Sequence, residues 1–226
     1  MAEYIVGSHQ KGGVGKSTIS WNIAVELQNR GYDVEIIDLD TQQTLYYTNQ
    51  IRKEDSSLKP LKVTRLKTLK EFKKHISKNE AYQNKIVIVD VGGFDSDIGR
   101  VAIASADIVF TPVSHRTFEL LGLKTFEKVL ASISEAMEET KITHVLLNNL
   151  NPQKSKLKGL KNFIERSPHF TLLNSILRTR VDLDYAVADG KNVIEYGAKK
   201  KKESKASLEM KALVDEIMNK LELVKD

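Results

Sequence analysis

Short runs rich in valine, isoleucine and leucine recur along the chain, and longer segments with helical spacing of their apolar residues separate them. The run from Ile86 to Val89 contains no polar residue, which is typical of a strand covered on both faces of a parallel sheet. Seven strands are predicted in this way, at residues 4–7, 34–39, 62–66, 85–91, 108–113, 143–148 and 171–176.

Helical spacing is clearest in three of the intervening segments. Ile19, Ile23 and Leu27 mark a first helix, which Gly31 is well placed to end. A long middle helix is predicted through residues 118–133, and a last one through 208–221. Because strands and helices alternate, we predict an α/β fold with a mostly parallel twisted sheet and helices on both faces. Ligands of such sheets bind at the carboxyl ends of the strands.

The composition is that of an ordinary globular chain, and it excludes several functions. The 226 residues show no internal repeat and no linker-like segment, so one domain over residues 1–226 is predicted. The absence of cysteine excludes a disulfide scaffold, a thiol nucleophile and a cysteine-ligated metal or iron–sulfur site. No apolar run is long enough for a bilayer, and the first ten residues lack a signal-peptide layout, so a cytoplasmic location is expected.

Positive charge is concentrated in three islands. Residues 52–78 hold ten lysines and arginines against three acidic residues, residues 154–166 hold five against one, and residues 191–205 hold six against two. Segregated positive charge on a chain of pI about 9.1 fits a polyanionic partner such as nucleic acid. The alternative for any one island is a solvated helix face.

A glycine-rich segment follows the first predicted strand and opens the first helix. Glycines at 12, 13 and 15 allow backbone torsions closed to other residues and let main-chain N–H groups approach an anion. The helix N-terminus also favours phosphate. Lys16 is placed for β- and γ-phosphates, and Ser17 offers a hydroxyl to Mg²⁺. The nucleotide-binding candidates are Gly12, Gly13, Val14, Gly15, Lys16, Ser17 and Thr18. The segment departs from the usual P-loop pattern at Gln10, which replaces the first glycine, and at the adjacent second lysine, Lys11.

The segment KGGVGKST resembles the deviant Walker A motif of the ParA/MinD ATPases. The resemblance implies a P-loop NTPase fold that binds ATP and Mg²⁺. It also implies that Lys11 crosses a nucleotide-dependent homodimer and touches the ATP phosphates of the partner. The similarity extends through the Ala106–Val113 segment and the region around residues 176–195.

Carboxylates follow two of the predicted strands. Asp90 closes the fourth strand, as a residue that holds Mg²⁺ through water does. Asp38 and Asp40 follow the second strand, and the resemblance implies that Asp40 positions or activates the attacking water while Asp38 supports the loop. It further implies that Asn148, or else Asn149, contacts adenine. A turn asparagine is the alternative for both.

The function implied by the resemblance is that of a ParA-type ATPase in plasmid or chromosome partition. Its ATP-bound dimer would hold non-specific DNA and associate with the nucleoid, and a centromere-binding ParB-like partner would stimulate slow hydrolysis. The candidate DNA contacts are Arg178, Arg180, Lys199 and Lys200, with the island at 52–78 as an alternative.

Two other classes stay open at this point. A MinD-like positioning ATPase would tether to a membrane, but the last predicted helix mixes acids and bases and lacks aromatic residues, which favours a packed helix. A metabolic P-loop kinase or synthetase has no need of a cross-dimer lysine. A relative of nitrogenase iron protein is excluded by the missing cysteines.

Overall fold

The computed structural model describes residues 1–79, 84–93, 95–114, 117–151, 157–198 and 203–222, with backbone alone at 117–119. Seven strands form one sheet in which every pairing is parallel. They are β1 (Glu3–Gly7), β2 (Asp33–Asp38), β3 (Lys62–Arg65), β4 (Lys85–Asp90), β5 (Ile108–Val113), β6 (Thr143–Leu150) and β7 (Phe170–Arg178). Their order across the sheet is β3-β2-β4-β1-β5-β6-β7.

The seven predicted strands are confirmed, with small shifts at their ends. Three predictions ran one residue too far, and in each case a backbone hydrogen bond continues past the strand: Leu39 N donates to Asp90 O, and Val91 N to Gly7 O. Leu66 N likewise donates to Asp38 O. Strands β6 and β7 are longer than predicted and pair through two register irregularities.

Nine helices lie in the described part of the chain. They are α1 (Lys16–Asn29), α2 (Thr44–Glu54), α3 (Leu69–Asn79), α4 (Asp97–Ala104), α5 (Thr117–Met137), α6 (Lys158–Arg166), α7 (Val181–Ala188), α8 (Val193–Gly197) and α9 (Lys205–Lys220). The three helices predicted from spacing correspond to α1, α5 and α9. Gly31 follows the C-cap of α1 with φ of +89°, the left-handed conformation that glycine favours.

Helices cover both faces of the sheet, as predicted. Alternate side chains of β1 point to opposite faces, so that Ile5 joins one core and Val6 the other. Helices α1, α2, α7, α8 and α9 pack on the first face, and α3, α4, α5 and α6 on the second. The apolar side of α9 is buried in the first core through Met210, Leu213 and Ile217, which confirms the prediction of a packed last helix. None of the described helices combines the length and the apolar character needed to cross a membrane.

The strand register brings three loops together at the carboxyl edge. Gly7 at the end of β1 and Asp38 at the end of β2 both pair in register with Asp90 at the end of β4. The glycine-rich loop, the loop after β2 and the loop after β4 therefore leave the sheet side by side.

Candidate nucleotide-binding site

The glycine-rich loop is shaped by two left-handed glycines. Gly13 has φ of +74° and Gly15, the N-cap of α1, has φ of +95°. A Cβ at Gly15 would lie 2.6 Å from the side-chain nitrogen of Asn148, so a larger residue is excluded there by space as well as by torsion. In the described structure no side chain caps α1 and no acidic residue lies in its first turn. The N-terminal amides of α1 are thus available to an anion.

Lys16 lies at the start of this helix with its side chain almost fully buried. Its ammonium donates to the Lys11 carbonyl at 3.4 Å. Burial lowers the pKa of Lys16, and the negative charges of Asp90 and Asp40 oppose that shift. The loop therefore holds a buried cation beside the amides that would receive phosphate.

Asp90 is fully buried at the end of β4. Neither of its carboxylate oxygens has a hydrogen-bond partner of standard geometry among the described residues. Burial is the main cause that raises the pKa of Asp90, to a net value of about 7; the charge of Asp38 adds to this shift, and the neighbouring Ser17 hydroxyl opposes it. An unpartnered buried carboxylate beside a serine hydroxyl is the donor set expected for a hydrated Mg²⁺.

The two aspartates that follow β2 have different environments. Asp38 is buried and accepts the backbone N–H groups of Asp40, at 3.2 Å, and Tyr46, at 3.1 Å, so it fixes the loop and the start of α2. Asp40 is half-buried and accepts the N–H of Gln42 at 2.9 Å. Asp40 is the one of the two that faces the cavity described next.

A cavity of about 610 Å³ opens above these loops. Its wall includes every predicted loop residue from Gly12 to Thr18, together with Asp40 and Gly93. The backbone of Gly93 passes so close to the loop that a Cβ there would lie 2.7 Å from Gly12 N. Asn148, Asn149 and the start of α7 also line the cavity. This volume is in the range of small-molecule sites.

Asn148 makes a contact that the sequence did not indicate. Its side-chain amide donates to the Val14 carbonyl at 2.8 Å, so it attaches the glycine-rich loop to the end of β6. Asn149 adopts a left-handed backbone with φ of +53° and also lines the cavity. Contact of either residue with adenine stays a prediction.

Lys11 is exposed and is not part of the cavity wall that the described residues form. Its backbone N–H donates to the ring of His9 at 2.9 Å. The two lysines of the loop therefore differ in direction, one buried beneath the cavity and the other turned outward.

Of the four residues predicted to contact DNA, the structure describes Arg178 and Arg180. Arg178 and Arg180 line the cavity and share one oxygen of Glu209 on α9, at 3.0 and 2.9 Å. Burial raises the pKa of Glu209, but Arg180 and Arg178 lower it more, and the net pKa lies below its usual value. Lys199 and Lys200 lie outside the described residues.

This site combines the sheet order, the glycine-rich loop and the buried lysine of a P-loop nucleotide-binding protein. The model of the CobQ/CobB/MinD/ParA nucleotide binding domain matches residues 5–193, and the chain belongs to this family. The protein ParA of Rhizobium radiobacter is 28% identical over 145 residues, which are 63% of this chain and 62% of that protein. The match thus spans less than two thirds of that relative.

Solved structures agree on the fold. A plasmid partition protein of Borrelia burgdorferi bound to AMPPNP has a TM-score of 0.68 and 16% identity, over 97% of this chain and 100% of that one. Cobyrinic acid a,c-diamide synthase of Mycobacterium smegmatis with ADP and magnesium has a TM-score of 0.67 and 16% identity, over 98% and 96%. The two likenesses are nearly equal, so the overall fold does not choose between a partition protein and a metabolic enzyme.

Proposed function

We propose that this protein is a partition-type ATPase that forms a homodimer when it binds ATP and Mg²⁺. The dimer holds non-specific DNA, and a centromere-binding adaptor protein stimulates its slow hydrolysis. The observation that carries the proposal is the outward Lys11 beside a loop in which Lys16 already supplies the buried cation. The ParA relative and the ParA-containing family support the same assignment.

The residues present fit magnesium nucleotide. The amides of the glycine-rich loop and the ammonium of Lys16 would bind the phosphates, and Ser17 and Asp90 would hold Mg²⁺. When bound, Mg²⁺ neutralises phosphate charge. Asp90 meets the requirement for this role because its two oxygens are buried without ordinary partners among the described residues.

Hydrolysis requires a water molecule to be ordered near the γ-phosphate. Asp40 faces the cavity with a carboxylate that the Gln42 N–H already orients, and it is our candidate for holding that water. Asp38 acts through the backbone, by fixing the turn that carries Asp40. One half-buried carboxylate orders a nucleophile poorly without added positive charge, which accounts for slow turnover in the absence of a partner.

Lys11→Ala should retain ATP binding and lose ATP-dependent dimerisation. The substitution leaves the buried Lys16, the loop glycines and the α1 N-terminus in place, so we expect the Kd of ATP to change by less than about threefold. A cross-dimer cation would be missing from both nucleotides, and each lost charge-assisted contact costs about 1.5–3 kcal/mol. The measurement is the elution volume on a sizing column with and without Mg²⁺ and ATP.

The matched control for this test is Lys53→Ala, which removes an exposed lysine from the last turn of α2. It should dimerise like the wild type. Normal dimerisation of Lys11→Ala would contradict the cross-dimer role. A wild-type protein that stays monomeric with ATP, yet transfers phosphate to a metabolite, would instead favour the metabolic class of the family.

We place the DNA-binding surface on α3 rather than at the two arginines. Arg178 and Arg180 are tied to Glu209 and line the nucleotide cavity, so they are poorly available to a second polyanion. Helix α3 instead buries Phe72 and exposes a row of lysines on its outer side. The exposed lysines in and beside α3 are Lys67, Lys70, Lys73, Lys74 and Lys78.

Two α3 charges are reversed in the double variant Lys70→Glu with Lys74→Glu. This variant should bind DNA less tightly, and its affinity should depend less steeply on salt concentration. The pair is one helical turn apart, and each lost phosphate contact lowers the slope of log K against log salt by about 0.9, so we expect a decrease of about 2. The control pair is Lys124→Glu with Lys128→Glu, which has the same spacing on the exposed side of α5. Equal weakening by both pairs would show a general charge effect and would contradict the assignment to α3.

A further inference from the structure

His9 is a buried histidine at the start of the glycine-rich loop. It is 1% exposed, and its Nδ1 accepts the backbone N–H of Lys11 at 2.9 Å. A side-chain acceptor bonded to the N–H two residues later is the arrangement of an Asx-turn, made here by an imidazole. Because Nδ1 accepts, the ring is neutral and carries its proton on Nε2.

Helix α5 holds this ring from the other side. A Cβ at Gly122 would lie 2.7 Å from Cε1 of His9, so the ring rests directly on the helix backbone. The Phe126 ring lies 6.5 Å away between centroids. The Nε2 atom is buried and has no hydrogen-bond partner among the described residues. The ring therefore makes one polar contact there, and that contact is with Lys11.

Electrostatics keep the imidazole in the form that this contact needs. Burial, together with the charges of Lys16 and Lys11, lowers the pKa of His9 to about 4. A protonated ring would donate from both nitrogens, lose the Lys11 N–H and face two cations.

We propose that His9 is a positioning residue for Lys11: its ring fixes the backbone from which the outward ammonium projects, and Gly122 of α5 fixes the ring. The direction of the Lys11 side chain therefore depends on the position of α5. The role of Lys11 in dimerisation rests on the function proposed above, whereas the coupling of His9, Gly122 and Lys11 is a property of the monomer.

Trypsin cleavage between Lys11 and Gly12 tests the coupling in nucleotide-free protein. His9→Leu fills much of the ring volume without an acceptor, and we expect cleavage there to be about three- to tenfold faster than in wild type. His9→Asn can form a true Asx-turn to Lys11, so its cleavage rate should stay within about twofold of wild type. Cleavage after Lys67, in the exposed loop before α3, serves as the internal control for general loosening.

A second pair of variants tests the contact with α5. Gly122→Ala should raise the helix propensity of α5 but displace the ring, so cleavage at Lys11 should become about as fast as in His9→Leu. The shorter Asn side chain leaves room, and cleavage in His9→Asn with Gly122→Ala should return to the wild-type rate. Unchanged cleavage in His9→Leu, or no suppression in the double variant, would overturn the proposal.

ATP-dependent dimerisation of the same variants separates this inference from the proposed function. We expect His9→Leu and Gly122→Ala to reduce the dimer fraction while the Kd of ATP stays within about threefold of wild type. His9→Asn should dimerise like the wild type. If wild-type protein fails to dimerise but the cleavage pattern holds, the proposed function fails and the positioning role stands. If wild-type protein dimerises with ATP but the cleavage pattern fails, the positioning role is overturned and the proposed function stands.

Discussion

Lys16→Ala should abolish detectable ATP binding, with a rise in Kd of at least about a hundredfold. The ammonium is buried at the N-terminus of α1, where little water screens its attraction for phosphate. Removing one partner of a buried charge pair costs about 3–5 kcal/mol, and each 1.4 kcal/mol is tenfold in Kd. Titration calorimetry with Mg²⁺ and ATP measures the effect.

Two comparisons decide whether the loss is specific. Lys11→Ala removes the same chemical group five residues away, and it should bind ATP within about threefold of wild type because Lys11 is exposed. A thermal melt of Lys16→Ala checks that the fold persists, since the charge of Lys16 opposes the raised pKa of Asp90. ATP binding by Lys16→Ala at near wild-type affinity would contradict the proposal that Lys16 and the glycine-rich loop bind the phosphates.

The parts of this site that follow directly from strands were predictable from the sequence. Apolar runs located all seven strands, and parallel strands necessarily bring their carboxyl ends to one edge, so the glycine-rich loop, Asp38 and Asp90 were expected together. The glycines at 12, 13 and 15 were expected to use torsions closed to other residues; Gly13 and Gly15 are left-handed, whereas Gly12 is not. These features are local, and each depends on a pattern within a few residues.

Features that depend on contacts far apart in sequence were not predictable in this way. Asn148 reaches Val14 across 134 residues, and no spacing rule indicates that contact. The Arg180–Glu209 ion pair depends on where α9 packs, which only the assembled core decides. No sequence motif indicates a role for His9, because a single histidine after a strand has no characteristic spacing. Its partner Gly122 lies more than a hundred residues away.

Asp90→Asn should stabilise the nucleotide-free protein and remove its response to magnesium. Burial raises the pKa of Asp90 to about 7, which lies above its ordinary value, so keeping the carboxylate ionised at neutral pH costs free energy of folding. Asparagine has nearly the same shape and no charge. We expect a gain of about 1 to 4 kcal/mol, or a Tm higher by roughly 3 to 10 °C in a chain of this size.

The charge of Asp90 that destabilises the free protein is also the charge that a divalent cation would need. Asp90→Asn should therefore remove both the destabilisation of the free protein and its stabilisation by Mg²⁺. In wild type, Mg²⁺ added to ATP should raise the Tm above that with ATP and EDTA, because ligands of the native state stabilise it. In Asp90→Asn this magnesium-dependent increment should vanish while the higher baseline remains. The control is Asp33→Asn, which removes an exposed carboxylate at the start of β2. It should alter the stability of the free protein by less than about 0.5 kcal/mol and leave the magnesium-dependent increment unchanged. A variant at Asp90 that melts below wild type and still responds to Mg²⁺ would mean that the buried carboxylate is structural, and the metal would then have to be held elsewhere.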